Sequence, residues 1–356
     1  MIAGTLSANT SAALNVALTL DSSGVLNEAK LESNYRLAQQ TYAQALALFA
    51  SQVSQMYWSL VASQASIAAY QRAVDQALLQ YDVVLAQYQA GLIPELDLVR
   101  SQLAIEDAKT NLQVQKDAFV DSLAEFKAAI GLSDSEQSPT LENISYTPLE
   151  LPTSQELIAL YREQRFDIQL ARLNAETTTL NADIVKRQAY SPTVTLSGGW
   201  EVGLSSSLVL SDSASFAVSM KIPLDGYFTS SDTSLSLLEA QEAAEISSLT
   251  VQEELSEAAL EIESYSTNLR RIQDRVQVAE DTLTLTQRAA SLSHAAYDAG
   301  LIAYTELNES REAVLTAEET LIQLKLSHNT TLHNLAYALG MDAQTLTVLY
   351  QQLKTL

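Results

Sequence analysis

The interval between Gly226 and Gly300 holds neither glycine nor proline, and no other feature limits the possible folds as strongly. Inside a helix these residues cost about 1 and about 3 kcal/mol. The intervals 25–90, 95–130, 153–191 and 301–339 are free of both as well. The sequence therefore predicts five helices. One helix over 229–298 would be roughly 105 Å long at about 1.5 Å per residue, too long for a compact domain of this size. The segments 94–131 and 153–190 are about half that length, and stacked end to end they would run alongside one long helix.

Apolar periodicity agrees. Leu255, Ile262, Leu269, Val276, Leu283, Ala290 and Tyr297 recur every seven residues, with Ala258, Tyr265, Ile272 and Ala279 three positions on. The first interval carries Leu46, Val53, Leu60, Ile67, Val74, Tyr81 and Tyr88, with a second row of Phe49, Met56, Ser63, Tyr70, Ala77 and Val84. Two rows of this kind form a coiled-coil seam, so their aromatic members are read as packing. Elsewhere the period is two. Val194, Leu196, Gly198, Trp200, Val202 and Leu204 alternate with small polar residues, as do Phe216, Val218, Met220, Ile222 and Leu224, and near the start Leu14, Val16, Leu18 and Leu20. Each stretch suits a strand crossing a bilayer at a tilt, and equally a half-buried strand in a soluble sheet.

The chain also repeats itself. Tyr88, Gly91, Leu92 and Ile93 match Tyr297, Gly300, Leu301 and Ile302 at an offset of 209, and the offset continues through Leu98/Leu307, Ser101/Ser310, Leu112/Leu321 and Gly131/Gly340. Upstream, Gly24 matches Gly226 at an offset of 202, and the difference of one heptad keeps the seam in register. Each half reads as strand, long helix, Gly-Leu-Ile turn, half-length helix. The helix and strand pair at 153–204 has no first-half counterpart, which places the expected counterpart before residue 1.

Composition narrows the function. Charged residues are 18% and aromatics 6%, which suits long, closely packed helices. The formal charge of −23 repels a nucleic-acid backbone; it serves solubility or makes a negative field in a cavity. With no cysteine there is no disulfide or thiolate site, and with Lys30 as the first lysine no basic leader region is expected within these residues. No apolar run is long enough for a transmembrane helix, so any span must be built of strands. His294, His328 and His333 do not share a helix face and are read as packed or exposed rather than metal ligands. No Ser-His-Asp order, phosphate loop or HExxH stretch is present, so the chain is read as catalysing no reaction and holding no cofactor.

The Tyr-x-x-Gly turns at Tyr88–Gly91 and Tyr297–Gly300, the helix endings at 128–132 and 337–341, and Arg165-Phe166-Asp167 before a helix ending at Tyr190-Ser191-Pro192 together resemble the TolC-like outer-membrane efflux family. The resemblance covers nearly the whole chain. It implies a mainly α fold with a β-barrel portion: a homotrimer whose long helical hairpins form a periplasmic α-barrel and whose strands join one 12-stranded barrel in outer-membrane lipid. On that reading 1–24 is a barrel strand segment and 25–131 the first periplasmic hairpin. An equatorial linker follows at 132–152, a half-length helix at 153–191 and a barrel hairpin at 192–226. The second periplasmic hairpin is 227–340, and 341–356 is a C-terminal equatorial segment. The implied partners are a periplasmic adaptor protein and an inner-membrane pump. The turns Gly91, Leu92, Gly300 and Leu301 would form the tip that meets the adaptor. Glu306, Glu309 and Asp97, with Tyr297, would form the pore constriction. Asp97 and Glu306 are also where any helix favours acids for the sake of its dipole. Ile302 departs from the family, where a polar or basic residue is common. The competing reading is a structural coiled-coil or adaptor protein without a pore.

Overall fold

The structure, a computed structural model, describes residues 10–132, 140–204 and 210–353. The expectations that fall on 1–9, 133–139, 205–209 and 354–356 lie outside those residues. In chain order the elements are β1 (Thr10–Leu20), α1 (Gly24–Gln89), α2 (Glu95–Ala129), α3 (Ser154–Tyr161), α4 (Phe166–Tyr190), β2 (Thr193–Leu204), β3 (Leu210–Lys221), α5 (Asp232–Asp298), α6 (Tyr304–Ala338) and α7 (Ala343–Leu353). The helix pairs α1/α2 and α5/α6 have 66 and 35, and 67 and 35, residues, so the repeat read from sequence holds in element length. Two compact units result, one of residues 1–42 and 166–255, the other of 43–165 and 256–356.

The first unit contains an antiparallel sheet in the order β1-β2-β3. Its register sets Leu14 opposite Trp200 and Ala214, Val16 opposite Gly198 and Phe216, Leu18 opposite Leu196 and Val218, and Leu20 opposite Val194 and Met220. Residues directly opposite share a face, so the period-two patterns of all three strands combine into one apolar surface. Its large side chains lie open, Phe216 at 74% and Leu14 at 65%. The other face carries Asn15, Thr19, Thr195, Ser197, Glu201, Ser213, Ser215 and Ser219. β3 begins six residues before the expected 216 and stops before Ile222. Pairing with β2 recruits the polar Leu210–Ser215 segment, which alternation of apolar residues could not reveal, and Pro223 has no N–H to extend the ladder. Against the sheet's helices, α4 meets α1 through a polar series: Lys30 to Asn181 at 2.7 Å, Ser33 with Thr177 at 3.0 Å, and Gln40 to Gln169 at 2.7 Å.

In the second unit the expected α5 seam packs as read. Ile262, Leu269 and Val276 are fully buried, and Ala258, Ile272 and Ala279 nearly so. Ile262 and Leu269 join Leu335, Leu339, Leu346, Leu157 and Leu149 in the largest core cluster. The extended segment 141–153 lies over this cluster. Its backbone carbonyls are satisfied by side chains: Gln273 donates to Leu149, Arg270 to Leu151 and Pro152, and Asn329 to Ser145.

Two expectations are corrected. The helix foreseen over 153–191 is α3, a 3-10 turn at Arg162–Gln164, and α4, divided at Arg165 in extended backbone. Arg165 is 6% exposed and ties Glu261 of α5 at 2.5 Å to the Ala338 carbonyl at the end of α6 at 3.3 Å. That buried anchor overrides helix propensity, and no glycine or proline marks it. The second concerns α1. Leu60, Val74 and Val84 are buried, but Leu46, Phe49, Met56 and Tyr88, from the same two rows, are 36–56% exposed. Besides Val84, which packs with Tyr297, Tyr304 and Leu307, a polar row that the apolar pattern does not register meets α5 and α6: Ser66, Gln80 and Gln87, hydrogen-bonded to Glu319, Arg311 and Tyr297.

Candidate functional site

Helices α1 and α5 end alike. Gly91 takes φ 72° and Gly300 φ 71°, a left-handed conformation that favours glycine. Leu92 N–H donates to the Gln87 carbonyl and Leu301 N–H to the Ala296 carbonyl, both at 2.9 Å, while each glycine N–H closes a shorter turn onto Tyr88 or Tyr297. This is the Schellman arrangement. It leaves Leu92 and Leu301 75% and 78% exposed, two apolar knobs at the turns. The following helices begin after Pro94 and Ala303, both extended and without a side-chain cap. Asp97 and Glu306 are then the third residues of α2 and α6, where a carboxylate meets the positive end of the helix dipole.

The four expected constriction residues have different surroundings. Asp97 pairs with Arg100 at 3.5 Å on its own helix. Tyr297 is 6% exposed and packs with Val84, Tyr304 and Leu307, its hydroxyl donating to Gln87 at 3.3 Å. It makes a packing contact between α5 and α1. Burial, then the charge of Asp97, pushes its phenol up. Ile302 packs against the same cluster, which explains an apolar residue there. Glu306 and Glu309 are exposed. Glu309 opens onto a groove of about 370 Å³ between α1, α2 and α6, shared with Arg72, Arg100 and Glu312; Glu306 is outside its lining.

The repeat, the paired glycine turns and the one-sided sheet find their counterpart in known proteins. Residues 3–132 and 157–341 match the sequence profile of outer membrane efflux proteins. The chain belongs to that family. Among solved structures it is similar to CusC, studied for transmembrane channel formation, with a TM-score of 0.82 and 20% identity over 94% of this chain and 78% of CusC. It is similar to the outer membrane protein VceC of Vibrio cholerae (TM-score 0.79, 17% identity, 95% and 88% covered). The Campylobacter jejuni outer membrane channel CmeC gives 0.80 at 15% identity, with 98% and 81% covered. At these identities the likeness shows the fold alone: long helical hairpins with strands that contribute to a barrel. No curated protein matches the sequence. Efflux-family membership makes this a transport protein of the outer membrane.

Sequence reasoning missed the polar contacts between α1 and α6. Arg72 pairs with Glu318 at 2.9 Å, Ser66 donates to Glu319 at 3.1 Å, Arg311 to Gln80 at 2.8 Å, and Trp58 to His333 at 3.2 Å. Burial, then Glu318, pushes Glu319 up, against the Ser66 hydrogen bond that lowers it. The available signal was the spacing of Ser66, Gln80 and Gln87 in whole heptads, which places polar residues on one row.

Proposed function

We propose that this chain is one subunit of a trimeric outer-membrane channel in a tripartite efflux or type I secretion system. Cargo passes through a periplasmic helical tunnel and the outer-membrane barrel. The observation that supports this best is the sheet in which one face is apolar and open while the other is polar. Among the described residues β1 and β3 are paired on one side only. Open strand edges are not tolerated in lipid, so such a sheet must join others to close. Tyr35, Tyr42 and Phe49, seven apart on α1 and 49–71% exposed, give a further apolar row for a neighbouring subunit to cover.

On this reading Glu306 and Glu309 make two acidic rings at the periplasmic end, with Asp97 and Tyr297 as contacts of the closed tip. Leu92 and Leu301, beside Gly91 and Gly300, meet the adaptor protein, and the inner-membrane pump engages through it. Rings of carboxylates favour cations in a pore. Two charges about 6 Å apart in water repel by only about 0.7 kcal/mol, and a narrow, water-poor tip raises that. The test is mass measurement and single-channel recording of the full-length protein in mild detergent and planar bilayers. A trimer whose cation preference and trivalent-cation block weaken when both glutamates become Gln is expected. A detergent-independent monomer without conductance would instead support a coiled-coil or adaptor protein, and unchanged selectivity would leave the two acids as solvated helix residues.

A further inference from the structure

Beside the polar row of α1 lies a second groove, of about 810 Å³, walled by α1, α5 and α6. Its lining includes Arg72, Gln80, His294, Asp298, Arg311 and Glu318. Four of these side chains are already paired: Arg72 with Glu318 at 2.9 Å and the His294 ring with the Asp298 carboxylate at 3.0 Å. Arg311 is the exception. Among the described residues it has no carboxylate within ion-pair distance, in a chain with 43 acidic and 20 basic residues. It is partly buried, and its guanidinium donates to the Gln80 side-chain oxygen at 2.8 Å. Gln80 is 1% exposed, and among the described residues its amide nitrogen has no hydrogen-bond partner.

A buried N–H group without an acceptor is destabilising, and so is a partly buried cation whose nearest carboxylate lies beyond ion-pair distance. Here both deficits fall on touching side chains where α1 and α6 meet along one groove. Both are deficits of the same sign, since each side chain offers donors and lacks an acceptor. A metal ion or an ammonium group would add to them. A compact oxyanion supplies two or three acceptor oxygens and one negative charge, and the guanidinium fork matches its geometry.

We infer that Arg311 and Gln80 form a binding niche for a small oxyanion, a phosphate or a carboxylate, in the groove between α1, α5 and α6. Burial draws the Arg311 guanidinium down, against Tyr304 and Asp298 that hold it up, and a bound anion restores the balance. A bound anion bridges α6 to α1 through the same two side chains that already touch.

The site is independent of conduction, so its test is a binding measurement. Full-length protein in detergent is titrated calorimetrically with inorganic phosphate, and separately with acetate, against sodium chloride at matched ionic strength. Saturable binding of one anion per subunit is expected for at least one probe. Phosphate without acetate identifies a free-phosphate site, and acetate binding identifies one that takes carboxylates. Arg311→Gln should weaken binding at least tenfold. Gln80→Leu, which removes the orphan donor and keeps the cation, should weaken it several-fold. Arg100→Gln, in the neighbouring groove, should leave it unchanged. Should one variant fail to fold by circular dichroism, the other decides. No binding above chloride with either probe, or binding that the folded variant leaves intact, overturns the inference.

Discussion

Gly340 separates two reasons for a glycine. Gly91, Gly131, Gly300 and Gly340 share φ between 71° and 77°. A side chain in that left-handed conformation costs roughly 1–2 kcal/mol. At Gly91, Gly131 and Gly300 an added Cβ meets nothing within 4 Å among the described residues, so alanine there should cost that much and no more. At Gly340 the same Cβ would stand 2.8 Å from the Gln164 carbonyl oxygen and 3.3 Å from its carbon. Both are backbone atoms that cannot rotate away, and such overpacking adds about 1–3 kcal/mol. Gly340→Ala should therefore cost about 2–5 kcal/mol against about 1–2 for Gly91→Ala, adding the two effects. The assay is urea unfolding of the full-length protein in detergent, followed by helical circular dichroism. Moving Gln164 also disturbs Arg165, which is 6% exposed and held at 2.5 Å by Glu261. Trypsin should accordingly cut after Arg165 sooner in Gly340→Ala than in Gly91→Ala. Equal destabilisation and equal cleavage in the two variants would refute the reasoning.

Leu269→Ala, at a fully buried seam position, should cost about 2–5 kcal/mol in the same unfolding assay, and Leu269→Asp should impair assembly on a native gel; the exposed neighbour change Glu263→Lys should do much less. On the sheet, Val16→Arg puts a charge on the apolar face and should cost up to about 2–4 kcal/mol in bilayer folding measurements, whereas Ala17→Arg on the opposite face should cost far less; equal costs would mean that neither face meets lipid. His328 is 1% exposed beside Tyr146, Gln273 and Asn329, and burial pushes its imidazole down, against the Asn329 hydrogen bond. The unfolded chain then takes up the proton first, so the stability from neutral His328 is whole above about pH 6.5 and is lost as pH falls from there toward the folded-state value. His328→Gln should flatten that part of the stability–pH curve, and an unchanged curve would rule His328 out as its source.

The repeat, the long helices, the seam of α5 and the one-sided strands were legible in the sequence because they depend on short-range regularities. Glycine and proline interrupt helices wherever they occur, heptads and alternation follow from helix and strand geometry, and Gly91 and Gly300 announce turns by their own backbone freedom. Ile262 and Leu269 could be named as buried before any fold was known. The Arg165 break, the early start of β3 and the Arg311–Gln80 contact could not. Each depends on a partner far along the chain: Glu261 and the Ala338 carbonyl for Arg165, the β2 ladder for Leu210–Ser215, and α6 against a polar row of α1 for Gln80. The packing of Tyr297 against Val84 and Tyr304 belongs with these. Local pattern determined which segments are helix and strand, apart from the Arg165 break and the start of β3. Tertiary structure alone decided which side chains meet, because a buried polar contact is made stable by two residues that carry no mark of each other in sequence.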